Sequence, residues 1–253
     1  MKKIGMVGGV AWPSTVEMYA AICRLSATWH AGKVARGPAP MPEFSIESVN
    51  IAHSFARRGL PGDEASWAAF DAYFNTALRR LELAGAEFAL IASNTPHNRF
   101  TAITAGIGIP VLNIFETVAQ ACSRASLRDV LILGTQPTLV SPAFAQTLAC
   151  AGLRGHVPPR DADREALYAL ILRLQAGQTE GAAMQMAELA DRSFTELGIA
   201  PGPGRGISLS CTELSLAFGK QQRLLPDFHG HGHHWINTGI VHAHAAFDFA
   251  LSP

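Results

Sequence analysis

Four cysteines in 253 residues, with no Cys-x-x-Cys pair among them, leave no disulfide framework and no redox motif. Charge of one sign is also missing. Twenty basic and twenty acidic residues cancel, so no strong field gathers nucleic acid or an anionic membrane. No window holds the ~18 uninterrupted apolar residues of a membrane span. The opening MKKIGMVGGVAW lacks the apolar core and small-residue cleavage site of a secretory signal. GGVAWPST lacks the Gly-Lys-Ser/Thr ending of a P-loop, and GMVGG is not G-x-G-x-x-G. Neither IASN nor SLSC meets the G-x-S-x-G pattern of serine hydrolases. These absences leave a chain expected in the cytoplasm, with a small molecule as its partner.

What is present is alternation. IGMVG (4–8), FSIESVN (44–50), FALIAS (88–93), PVLNI (110–114), DVLILGT (129–135) and ISLSC (207–211) read as strands. Between them lie amphipathic stretches, such as 14–28 with Ser14 as N-cap and 66–85 closed by Gly85. Strands alternating with helices of this length predict parallel sheets built from βαβ units. The halves also answer each other: GMVGGVAWPST is matched in plan by LILGTQPTLVSP, and ALIASNTPH by ISLSCTELS. The expectation is an α/β protein of two pseudo-symmetric lobes, each a parallel sheet flanked by helices, with the site at the lobe interface. Lobe 1 takes residues 1–114, completed by 224–253, and lobe 2 takes 115–223. PGPGRG (201–206) and HGHGHH (229–234) read as loops. The histidine tract has no carboxylate or cysteine at ligand spacing, so no metal is expected there.

Chemistry concentrates where strands stop, as it does in open α/β sheets. Cys211, Thr212 and Glu213 follow one strand; Ser93, Asn94 and Thr95 follow another. Amide and hydroxyl groups, with backbone N–H groups at helix starts, make a receptacle for a carboxylate. Cys211 close to such N–H groups would be partly thiolate, a base able to take a proton from a bound amino acid. Cys23, Cys122 and Cys150 sit in helical patterns and read as filler. His97 reads as a residue supporting the site from behind.

Several motifs in order, along nearly the whole chain, resemble the cofactor-independent aspartate/glutamate racemase family. IGMVGGVAWPSTVEMY resembles the glycine-rich N-terminal motif of the branch reading GG-M-S-W-E-S-T. LAGAEFALIASNTPH resembles the first catalytic segment, usually Cys/Thr-Asn-Thr-x-His, and ISLSCTELSL the second. LILGT (131–135) resembles the central loop, and WINTGIVHAHAAFDFAL the C-terminal segment. The resemblance implies two acid/base residues on opposite faces of the substrate α-carbon, which fall on Ser93 and Cys211. It implies that Asn94, Thr95, Thr212 and Glu213 hold the α-carboxylate and α-ammonium, with Gly9 and Thr135 lining the same pocket. Arg57 or Arg58 would pair with a side-chain carboxylate. No pyridoxal phosphate, other cofactor or metal is implied; a homodimer is.

Three positions depart from the family. Ser93 stands where cysteine or threonine is usual, and Asn50 and Asn237 stand where relatives often carry Asp. A serine hydroxyl is far less acidic than a thiol of pKa ~8.5. The chemistry is therefore expected to be one-sided, with Cys211 acting on the L enantiomer of aspartate or glutamate. The rival readings are a single-thiol decarboxylase of the same superfamily and a binding protein that kept the cleft without the activity.

Overall fold

The computed structural model describes residues 1–33 and 36–253. The chain divides into two compact units, Met1–Asn113 with His242–Pro253, and Ile114–Val241.

In the first unit β1 (Ile4–Gly8) lies between β2 (Phe44–Ser48) and β3 (Phe88–Ile91), all parallel. Ile4 stands opposite both Phe44 and Phe88. Every residue of β1 and β3 is buried, which is why both read as continuous apolar runs rather than alternating ones. Phe70, Phe74 and Leu78, spaced four apart on the helix Ala68–Leu83, pack with Val7, Ala89 and Ile91 in one core. That helix ends as predicted at Gly85, whose φ of 78° closes the turn while the N–H of Ala86 reaches back to the carbonyl of Leu81. The last residues close the unit: the N–H of Lys2 donates to the carbonyl of Ala250, and Phe249 packs on Phe88 at 4.7 Å between ring centroids.

The second unit carries five strands in the order β5-β4-β6-β8-β7. These are β4 (Asp129–Gly134), β5 (Arg154–His156), β6 (Arg205–Ser210), β7 (Asp227–Gly230) and β8 (His233–Asn237). All pairs are parallel except β7 with β8. Asp129, at the first residue of β4, takes the Nε and Nη2 of Arg154 at 2.7 and 2.6 Å and Nε2 of His156 at 2.9 Å, tying the edge strand down.

Several expectations are corrected. Residues 224–241 belong to the second unit, because β8 pairs with β6; the return to the first unit begins at His242. HGHGHH forms the hairpin β7–β8, not a loop: His231 (φ 48°) and Gly232 (φ 78°) make the two-residue turn that needs positive φ at both positions. PVLNI contributes only an isolated parallel bridge, Ala89 with Val111, and Ile114 already starts a helix. The first helix runs Trp12–His30, two residues earlier than expected, because Pro13 is at home in a first turn. Ser14 is therefore inside that turn and buried rather than capping it.

Candidate active site

In each unit a buried parallel strand is followed by a short 3-10 turn, and Ser93 and Cys211 lie between strand and turn. β3 ends at Ile91, and the turn Thr95–Arg99 follows. The N–H of Ser93 donates to the carbonyl of Ile91 at 2.8 Å, a tight reversal immediately after the strand. The N–H of His97 then donates to the carbonyl of Asn94 at 3.0 Å. Pro96 suits this first turn, where no backbone donor is required of it. Ser93, Asn94, Thr95 and His97 are all buried. At the far end Arg99 grips Asp71 through Nε at 3.1 Å and Nη2 at 2.7 Å and also pairs with Glu64, fixing the turn to the helix Ala68–Leu83 and its lead-in.

β6 ends at Ser210. Cys211 keeps extended backbone (φ −134°, ψ 124°), and Thr212–Ala217 forms the turn. Cys211 belongs to the second unit's apolar core and is 6% exposed. Its Sγ nevertheless meets a polar partner: the thiol donates to Oε2 of Glu213 at 3.1 Å. Thr212 Oγ1 donates to the same oxygen at 3.1 Å, and Nε2 of Gln175 donates to Oε1 at 3.0 Å. A buried carboxylate with donors on both oxygens is satisfied and held in place. Cys211 makes no capping bond to the turn, and Glu213 faces the thiol. A carboxylate so placed can accept the thiol's proton and return it, which is the local requirement for a thiolate base.

The other predicted residues are placed as follows. Gly9 follows β1 with φ 82°, and its N–H donates to Thr15 Oγ1 at 2.9 Å; a Cβ there would lie 2.1 Å from the carbonyl oxygen of Val49. Only glycine lets the two backbones approach so closely. Thr135 is half-buried at the start of the short helix Gln136–Val140. Arg57 donates through Nη1 to the carbonyl of His53 at 2.9 Å and lies over the Tyr73 ring; Arg58 lies over Phe55. Asn50 caps the helix Ile51–Ala56 by accepting from the N–H groups of Ala52 and His53. Asn237, at the end of β8, donates through Nδ2 to the carbonyl of Arg223 at 3.0 Å and accepts from the N–H of Ile240 at 3.4 Å.

Sequence reasoning missed the thiol–carboxylate contact and the depth of His97. Burial pushes the pKa of His97 down from 6.5 to about 4, against smaller upward pulls from the Ile91 carbonyl and Asn113. His242 is driven well below the usual histidine value for the same reason, aided by His97. The signal available was the i+2 step in CTE and the Pro-His after an apolar strand, neither of which fixes a side-chain direction. Among the described residues no group of three or more His, Cys, Asp and Glu is arranged to hold a metal ion.

The model of the Asp/Glu/Hydantoin racemase family matches residues 7–246. Among solved structures, the chain is similar to an aspartate racemase homologue from Pyrococcus horikoshii OT3, at 26% identity and TM-score 0.75 over the whole of both chains. It shares its fold with the aspartate racemase of Picrophilus torridus (17% identity, TM-score 0.66, 98% of this chain and 94% of that one). It also shares it with the glutamate racemase of Campylobacter jejuni subsp. jejuni (16%, TM-score 0.61, 98% and 85%).

Proposed function

The chain belongs to the Asp/Glu/Hydantoin racemase family, and from that premise we propose that it is an amino-acid racemase acting on aspartate or glutamate without pyridoxal phosphate, and selective for the L enantiomer. The observation that carries this reading is the Cys211 thiol donating to Glu213 at the end of β6, within a segment that resembles the family's second catalytic motif. Glu213 takes the thiol proton, and the thiolate removes the α-hydrogen of the L amino acid. The electron pair released delocalises into the α-carboxylate, which needs fixed donors to hold the added charge. Asn94, Thr95 and Thr212 are the donors assigned by the motif, with Gly9 and Thr135 lining the pocket and Arg57 or Arg58 pairing the side-chain carboxylate. Return of a proton to the opposite face falls to Ser93. A hydroxyl delivers a proton only by relay from water, so racemisation is slower than exchange at the L side.

The test is solvent-deuterium exchange at the α-carbon of L-aspartate and L-glutamate, followed by proton NMR. Wild type incorporates deuterium and Cys211→Ala does not; equal incorporation by both would remove the mechanism. Ser93→Cys raises turnover of the D enantiomer, and no gain would argue that Ser93 does not serve the α-carbon. Tight binding without exchange would mark an amino-acid-binding protein, and carbon dioxide release from a malonate would mark a single-thiol decarboxylase. A homodimer is part of the same reading. It is supported by Trp12, Val16 and Tyr19, which recur at i, i+4 and i+7 on one helix and are 72%, 57% and 43% exposed. Sedimentation velocity at micromolar concentration checks it; a monomer there counts against it.

A further inference from the structure

One buried cluster in the first unit takes no part in the chemistry above. The His97 ring is 1% exposed, stacks flat on Phe100 with centroids 5.6 Å apart and planes 12° apart, and meets the His242 ring edge-on at 5.7 Å. Its Nε2 lies 3.4 Å from the carbonyl oxygen of Ile91, the last residue of β3. The side chain of Asn113 hydrogen-bonds the same ring. Asn113 is the last residue before the chain leaves the first unit, and His242 is the first on its return. One imidazole thus touches the end of β3, the point of exit and the point of re-entry, from inside the turn that begins two residues after Ser93.

The protonation state follows from the partners. A carbonyl oxygen only accepts, so Nε2 carries the hydrogen. Burial disfavours a second proton, so the ring is neutral and carries a single N–H, while the Asn113 side chain hydrogen-bonds it and pulls its pKa up. A titratable group against the ring is His242, itself kept uncharged by burial; the ring also meets the Ile91 carbonyl, the Asn113 side chain and the Phe100 ring.

We propose that His97 is a positioning residue: as a neutral Nε2–H ring it holds the Ser93 turn in register with the two points where the chain passes between units. Its effect on turnover rests on the racemase reading; its tautomer and contacts do not.

Two sets of measurements test this on the full chain. Long-range proton–nitrogen spectra of labelled wild type at neutral pH should show His97 as the Nε2–H tautomer; the Nδ1–H tautomer or an imidazolium overturns the proposal. Asn113→Asp puts an acceptor-only carboxylate against the ring, so His97 should become an imidazolium at neutral pH; an unchanged neutral ring overturns the assigned contact. On turnover, His97→Leu should lower kcat for α-hydrogen exchange by roughly 10²-fold while KM moves less than about threefold, the signature of misplaced reacting groups. His97→Gln, which retains an N–H for the Ile91 carbonyl, should recover about tenfold of that loss. A His97→Leu rate within about twofold of wild type, or no recovery in His97→Gln, refutes the positioning role. Should wild type exchange no amino acid, the racemase reading falls while the spectra still decide the contacts of the ring; should His97→Leu fail to fold, wild type and Asn113→Asp still decide them.

Discussion

Acidifying the protein from about pH 7.5 to about pH 4.5 asks the fold to keep three buried histidines, His97, His242 and His233, from charging while the unfolded chain takes up protons. For His97 the unfolded value is 6.5 and the folded value about 4. A folded pKa below the unfolded one means stability fully present above the unfolded value and lost as pH falls through 6.5 toward about 4. Integrating the difference in bound protons gives a loss of about 1.4 kcal/mol at about pH 5.5 and about 2.5 kcal/mol at about pH 4.5. His242 adds a loss of the same sign. Asp129 does not confuse this window: Arg154 holds its carboxyl below 3.8, so its contribution disappears only at lower pH.

The assay is chemical unfolding monitored across that range for wild type and His97→Gln. His97 and His242 lie in the first unit, so their share of the dependence should attach to that unit's transition if the units unfold separately, with the share of His233 on the second unit's. His97→Gln removes one titrating group, whatever it costs in absolute stability, so the informative quantity is the slope. Wild type should lose about 2.5 kcal/mol more than the variant between the two extremes. Parallel stability profiles would refute the claim that His97 is buried without charge.

The four substitutions that follow separate backbone, capping and chemical roles. Gly9→Ala should cost about 2–4 kcal/mol, since it combines a left-handed φ with a Cβ set against the Val49 carbonyl; thermal denaturation measures it. Asn50→Asp should stay within about 0.5 kcal/mol of wild type, because a carboxylate oxygen caps the N–H groups of Ala52 and His53 as well as an amide does. Asn237→Asp should cost about 1–3 kcal/mol at neutral pH, because it replaces a donor to the Arg223 carbonyl with an acceptor. Part of that loss should return on acidification, which re-protonates the new carboxyl; no return would mean the amide donor is unimportant. Glu213→Gln should slow α-hydrogen exchange by about 10²- to 10⁴-fold by removing the proton acceptor from the thiol, and an unaltered rate would exclude that role.

Much of the fold is legible because buried parallel strands leave an unmistakable mark: IGMVG, FALI, DVLILG and ISLS are apolar runs between longer amphipathic stretches. The errors come where a short strand carries polar residues. Arg154–His156 is an edge strand of three residues, held by Asp129 rather than by apolar burial. The hairpin β7–β8 presents histidines on both strands, with the His229 and His234 rings tilted against each other at 4.3 Å between centroids across it, so its composition imitates a loop. The strands' carboxyl ends identified the candidate residues, since a run that stops at Ser-Asn-Thr or Cys-Thr-Glu is visible as text. Directions of side chains were not visible. Nothing in CTELS says that Glu213 turns back on Cys211, because residues two apart meet only when the backbone leaves the extended form, as the 3-10 turn makes it do.

That reversal also explains why the two turns, alike in backbone, are unlike in chemistry. Each follows a strand buried from end to end or nearly so, and each exposes very little of its first polar residues. One carries an acid–acceptor pair made of Cys211 and Glu213. The other carries Ser93, with the His97 that follows committed to Ile91 and Asn113 rather than available as a base. A serine becomes a proton donor or acceptor at neutral pH only with a base beside it. His97 cannot be that base while its Nε2 hydrogen is given to a carbonyl and its pKa lies near 4. On the proposed racemase reading, the inequality expected between exchange and racemisation follows from where one histidine points, and not from the missing thiol alone.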